Sequence, residues 1–365
     1  MANRAFLDSL MLHFPEKVDV IQLHHSDIDI DRPHYYFVPP LSRSKQLSFA
    51  LQGHFHRLYK WLPAFLRRHG SEYSHCVMNQ SYYGDLLPCI ISHGIKVAVI
   101  HHNYEVRHQM DNKLPATLYG LTSFFVKRNE RMALSQASLN MYLTKTDYLT
   151  FLEAYPQAQN ANHAVVGIYE TAATVHDTTS RDSLPKNVIV ICGSLDNKQT
   201  ELAVKDVFDN YYDIISSVYD NDFQLIIAGR NPGEYIRAMA STHPQVTLIQ
   251  NPDNMNEVLN KAGIFLCPVN CGSGLKLRIL DGLRSGLPIL THKVSVPGYE
   301  AFTSKPWFCV YDDKKTFREG LLQIIKVLHG QPLLSTEISG CYHQHFSFED
   351  GDKRFMQALT PFLED

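Results

Sequence analysis

Apolar positions along the chain cluster into short β-rich runs, separated by longer stretches in which apolar residues recur at helical spacing. The runs Val18–Leu23, His75–Met78, Lys96–His101, Leu139–Leu143, Val188–Cys192, Gln224–Ala228, Val246–Ile249, Ile264–Pro268 and Pro288–Thr291 each have the length of a buried strand. The segments between them are long enough for crossover helices, so the pattern predicts an α/β architecture with parallel sheets. Between the fourth and fifth runs lies the polar, Thr-, Ser- and Asp-rich stretch Glu170–Lys186, which reads as a hinge. Two doubly wound, Rossmann-like domains are expected, over 1–170 and 171–345, facing each other across a cleft. In the remaining segment, 346–365, Phe355, Met356, Leu359, Phe362 and Leu363 keep helical spacing, and this helix is expected to cross back to the first domain.

Composition narrows the classes. A length of 365 residues suits two domains, and 44% apolar with 19% charged residues is ordinary for a folded chain. A formal charge of -3 provides no general positive field for a nucleic acid backbone, so no nucleic acid partner is expected. The seven cysteines are odd in number, scattered and without a C-x-x-C pair, which argues against a disulfide framework or zinc ribbon and suits a reducing cytoplasm. No apolar run approaches the roughly 18 residues that span a bilayer. The start, Met1–Leu12, carries Asp8 in an amphipathic pattern rather than a signal-peptide core. Across 44–70, Lys45, Arg57, Lys60, Arg67 and Arg68 mix with Phe49, Phe55, Leu58, Trp61, Phe65 and Leu66. Two readings of this stretch stand: a basic amphipathic helix on an anionic membrane face, or a helix whose apolar side packs into the first domain.

The most informative stretch is IFLCPVNCGSGLKLRILDGLRSG, Ile264–Gly286: an apolar strand, a glycine turn, and a helix with Leu275, Ile279, Leu280 and Leu283 on one side. Gly272 and Gly274 allow close backbone approach to a ligand, and N–H groups at a helix start attract phosphate. Lys276, read as part of the first helical turn, puts a cation where a helix ordinarily prefers an acid, which points to an anionic partner. Asp281, five residues on, is placed to accept hydrogen bonds from a ribose diol. Plain strand-to-helix geometry explains a G-x-G turn alone; the added Lys276 and Asp281 favour a phosphate site.

Other signals carry less. Asp27, Asp29 and Asp31 form a D-x-D-x-D run, but Arg32 stands where a calcium loop needs Gly, so a solvated acidic loop is the expected identity and no metal site is assigned. His24, His25 and His101, and the pairs His54/His56 and His343/His345, lack closed zinc spacing and read as surface or packing residues. Glu130, within VKRNERMALSQA, reads equally as an exposed helix carboxylate paired with Arg131 or Lys127, or as a site residue. Glu105 has the same two readings.

GSGLKLRILDGLRSGLPILT, Gly272–Thr291, resembles the nucleotide-sugar site of glycosyltransferase family 4 and related GT-B enzymes. VIVICGSLDNKQTELAV and LIIAGRNPGEY resemble the first two strand-and-turn units of that family's donor domain, and His102-Asn103-Tyr104-Glu105 resembles its H-N-x-E segment. The resemblance implies a GT-B fold and metal-independent transfer of a sugar from a UDP- or GDP-sugar, with retention of configuration. No cofactor is implied beyond that substrate. It implies that Lys276 neutralises the leaving diphosphate, that Gly272, Ser273, Gly274 and Leu275 approach the distal phosphate and sugar, that Asp281 holds ribose, and that His102 touches the donor sugar. Glu105 and Glu130 fall on the acceptor side. This chain has Asp281 where the family usually has Glu, and Ser194 where many members have Arg; Lys198, with Arg278 second, is expected to supply that charge. The first strand and Gly-Gly turn that commonly precede a helix like Asn3–Asp8 are missing, so a shortened start or a sheet lacking one strand is expected.

The acceptor expected is a saccharide or lipid-linked saccharide in surface polysaccharide or glycolipid synthesis, with the protein cytoplasmic or peripheral on the inner membrane face. Two alternatives stand beside this: a GT-B nucleotide-sugar epimerase, which dense carboxylates near His102 would favour, and a nucleotide-sugar binding protein without turnover.

Overall fold

The computed structural model describes residues 2–23, 34–54, 56–106, 116–172, 184–272 and 274–364. Asp27, Asp29, Asp31, His24, His25 and Ser273 lie outside them, as does much of the expected hinge. The chain divides into two compact units, Met1–Thr174 with Phe348–Asp365, and Val175–Ser347.

In the first unit, β1 (Val20–Gln22) and β2 (Tyr35–Phe37) form a parallel pair, and β3 (His75–Met78), β4 (Lys96–His101), β5 (Leu139–Tyr142) and β6 (His163–Val165) form a parallel sheet in that order. Val97–His101 are all buried, which explains their unbroken apolar run: a central parallel strand has helices on both faces. The helix Phe348–Glu364 lies on the first helix, Ala2–His13, through Phe355 against Phe6 (centroids 5.0 Å apart) and Asp352 on His13 (2.8 Å).

The 44–70 stretch is not one helix. Arg43–Leu51 and Leu58–His69 are separate helices, and Gly53 between them takes φ +81°, a conformation that stops a helix and that side chains resist. Leu62, Phe65 and Leu66 of the second helix are buried against Leu87, Ile90, Val97 and Val99, so its apolar face is spent on the core. The break holds His54 and His56, which both grip the carboxylate of buried Asp85 at 2.6 and 2.8 Å. Burial pushes the Asp85 carboxyl up, but hydrogen bonds and charge from His56 and His54 outweigh this and hold it below its ordinary value. Among the described residues, no helix is long and apolar enough to cross a membrane.

The second unit has six parallel strands, β7 (Val188–Ser194), β8 (Gln224–Arg230), β9 (Val246–Gln250), β10 (Ile264–Cys267), β11 (Ile289–His292) and β12 (Phe308–Tyr311), ordered β9-β8-β7-β10-β11-β12. By chain rank within the unit this is 3-2-1-4-5-6, the doubly wound Rossmann order, and the strand order reverses between β7 and β10. Its core joins Ile189, Ile191, Leu225, Ile227, Ile264 and Leu266 to Val204, Val207, Ile215 and Phe317 from the helices. All nine expected strands are present, with edges shifted by a residue or two. The three that the apolar pattern missed, β2, β6 and β12, are three or four residues long, and β6 and β12 sit at sheet edges. One-sided burial at an edge breaks up the apolar run that marks a strand.

Candidate functional site

The strand order reverses between β7 and β10, and in sheets of this kind ligands bind outside the carboxyl ends of the strands at such a reversal. The segments that open there are Gly193–Lys198 and Pro268–Leu277. Side chains lock the two together. Arg278 donates from Nη2 to Thr200 Oγ1 at 2.8 Å, and its guanidinium lies against Gly193, where an added Cβ would come within 2.9 Å of Cζ. Gly272, at φ +84°, lies so close to Gln199 that a Cβ would be 2.4 Å from Nε2. These two glycines are present because the backbone and a long side chain share the same space.

Lys276 is 8% exposed and donates from Nζ to the Gly272 carbonyl at 3.1 Å, so its ammonium lies over the turn instead of in bulk water. Its main chain is pinned from below: the wholly buried Tyr299 donates its hydroxyl to Lys276 O at 3.0 Å, and Ser295 donates to Val269 O at 2.7 Å. The helix begins later than the sequence pattern suggested. It runs Arg278–Arg284 with Leu277 at its N-cap, so Leu275 and Lys276 belong to the turn and not to the first helical turn. A seven-residue helix has a weak dipole, and attraction for an anion therefore rests on Lys276, Arg278 and turn amides.

Among the described residues, Arg278 Nη1 is buried without a hydrogen-bond partner, an unusual state for a guanidinium. Lys198, by contrast, is exposed on the first turn of the helix Lys198–Asp206. Of the two cations expected to compensate for Ser194, the one adjoining Gly193 is Arg278. Asp281 is half-buried and its Oδ1 accepts from Arg284 Nη2 at 2.8 Å, a partner that the sequence reading did not foresee. Gln199 and Thr200 lie within the segment VIVICGSLDNKQTELAV without being marked by it, and Ser295 and Tyr299 belong to no motif.

The first unit has its own cluster at the end of β4. His101 is fully buried, stacked on Tyr142 and bonded to Asn140 at 2.9 Å, a packing role. His102 is half-buried and bonds from Nε2 to Asn79 Oδ1 at 2.5 Å; burial lowers its pKa to about 4, so it is neutral at physiological pH. Glu105 is pushed up to about 7 by burial, opposed by a hydrogen bond from Asn103. Glu130 is not an exposed helix carboxylate paired with Arg131 or Lys127. It is fully buried, Oε1 accepts the Glu105 N–H at 2.7 Å, Oε2 accepts the Tyr155 hydroxyl at 2.8 Å, and burial raises its pKa to about 8. No group of three or more His, Cys, Asp or Glu able to hold a metal occurs among the described residues.

Residues 186–326 match the family model described as glycosyl transferases group 1. No curated protein matches the chain by sequence. Among solved structures, the sucrose-phosphate synthase of Thermosynechococcus elongatus superposes with a TM-score of 0.66 at 13% identity, covering 99% of this chain and 92% of that one. Anabaena HepE in complex with UDP does so at 0.66 and 9% identity, covering 99% and 96%. Staphylococcus aureus TarM gives 0.57 at 10% identity over 81% of this chain, which spans 57% of TarM's length.

Proposed function

We propose, for a chain whose residues 186–326 match the group 1 glycosyl transferase model and which has the GT-B fold, that it transfers a sugar from a nucleoside diphosphate sugar, UDP or GDP, to a saccharide or lipid-linked acceptor, with retention of configuration. The observation that carries this reading is the pair of cations, Lys276 and Arg278, folded onto glycine turns at the strand-order reversal of the second unit. A diphosphate is the ligand that such a site suits: its oxygens take the ammonium, the guanidinium and turn amides together. The HepE structure holds UDP, which supports a uridine nucleotide.

In the proposed reaction the bond between the anomeric carbon and the diphosphate oxygen breaks, and a bond from that carbon to the acceptor hydroxyl oxygen forms on the same face. The hydroxyl proton passes to the departing phosphate oxygen. Lys276 and Arg278 hold the negative charge as it develops; one well-aimed donor of this sort is worth about 3 kcal/mol in the transition state. Asp281 holds ribose hydroxyls. His102, kept neutral by burial, and Glu105 offer hydrogen bonds to sugar hydroxyls. A role in surface polysaccharide or glycolipid synthesis follows from the acceptor class. With its apolar face in the core, the Leu58–His69 helix offers little support for a membrane contact.

The carboxyl groups near His102 favour, second, a nucleotide-sugar epimerase, which needs an acid and a base at the sugar. Against it, each Glu130 oxygen already accepts an internal bond. A thermal-shift panel of UDP-, GDP-, ADP- and CMP-sugars, followed by product analysis with and without acceptor, tests the reading. Stabilisation of about 2.7 kcal/mol is expected at ligand one hundred times its Kd. Isomerised donor in the absence of acceptor would replace transfer by epimerisation, and binding without turnover would leave a nucleotide-sugar binding protein.

A further inference from the structure

The helix Ala116–Gln136 buries two adjacent polar residues, Asn129 and Glu130, both at 0% exposure. They fasten two different turns. Asn129 Nδ2 donates to Tyr82 O at 3.1 Å, on the 81–86 turn that follows β3, and the Asn129 carbonyl packs so tightly on Gly84 that a Cβ there would be 1.9 Å away. Glu130 Oε1 accepts the Glu105 N–H on the turn that follows β4, while Oε2 accepts Tyr155 O–H from the far end of the helix Lys145–Ala154. The two turns meet where Asn79 Oδ1 takes the His102 imidazole.

We infer that Glu130 is a positioning residue: its carboxyl group holds the main chain of Glu105, and with it the orientation of the His102–Glu105 turn, without touching substrate. The physical case is one of cost. A buried carboxyl with no cation partner is expensive to keep and is retained only where its hydrogen bonds do something that an apolar side chain cannot. Here they bridge a loop N–H and the Tyr155 hydroxyl, tying two elements to one side chain. Among the described residues the groups facing Glu130 are Glu105 and Tyr155, with Tyr104 beside Tyr155, and none of them is a cation that would favour its ionised form; the neutral acid suffices to accept the loop N–H. That the turn meets a sugar rests on the proposed function; that Glu130 orients it does not.

The test compares full-length Glu130→Gln, Glu130→Ala and Tyr155→Phe in two readouts. The first needs no substrate: the His102 imidazole titration followed by NMR, its signal identified by its loss in His102→Gln. Glu130→Gln keeps an acceptor and should leave the His102 pKa near 4, whereas Glu130→Ala should let it rise toward the ordinary 6.5, with Tyr155→Phe between them. The second is sugar transfer, where Glu130→Ala should lower kcat about tenfold, Glu130→Gln should stay within about twofold, and the KM for donor should not move. If Glu130→Ala fails to fold, Tyr155→Phe against Glu130→Gln decides. A lowered Tm with the His102 titration unmoved would make Glu130 a packing strut and overturn the inference. A wild-type protein that transfers no sugar would sink the proposed function while the titration still judged Glu130.

Discussion

Two turns at the carboxyl ends of parallel strands, one in each unit, are built on opposite electrostatic plans. The turn after β10 gathers charge: Lys276 and Arg278 are drawn onto glycine backbone, and Arg278 keeps a buried guanidinium nitrogen without a partner among the described residues. The turn after β4 suppresses charge: His102 is held neutral, and Glu105 and Glu130 are pushed toward protonation by burial. The first is fit for a diphosphate, whose charge must be met by cations. The second is fit for uncharged hydroxyls, which are recognised by hydrogen bonds of defined direction and would gain nothing from an ion that holds its own water.

The largest effect is expected at the charged turn. Lys276→Ala should lower kcat about 100-fold, measured by steady-state transfer, with folding unchanged by calorimetry. Gly193→Ala comes next: a methyl group would strike Arg278 at a residue with φ +148°, and donor affinity should fall about tenfold in a binding titration. The neutral turn should show itself through pH. Glu105 and Glu130 bind their protons more tightly folded than unfolded, so the stability they contribute is complete below pH 4.5 and is lost as pH rises through about 7 and 8. Thermal melts of wild type should therefore decline from pH 6 to pH 9, and Glu130→Gln should flatten that decline. The smallest effect belongs to Lys198→Ala. Exposed on the first turn of its helix, it should change transfer by less than about twofold, and a larger loss would hand Lys198 the role given to Arg278.

The strands were legible because nine of them are marked by short β-rich runs, and the turn after β10 stood out as a candidate anion site because glycine, lysine and aspartate sit close together in one segment. What stayed hidden was set by distant parts of the chain. Tyr299 and Ser295 support the Lys276 turn from a loop twenty residues on, and nothing local marks them. The helix start reads too early from sequence because Leu275 continues the apolar spacing of Ile279 and Leu283, although Leu277 is where helical geometry begins. Glu130 was masked by its neighbours Lys127, Arg128 and Arg131, which make the segment look solvated. A signal did exist: Val126, Glu130, Ala133, Leu134 and Ala137 share one helical face, and all are buried.

The central claim is that the cationic turn of the second unit receives a diphosphate, and a calorimetric titration of UDP and GDP into wild type, Lys276→Ala and His102→Ala at fixed ionic strength tests it most directly. The account predicts one nucleotide site per chain, weakened about tenfold by Lys276→Ala and left intact by His102→Ala. Equal affinity in wild type and Lys276→Ala, or no nucleotide binding at all, would contradict it.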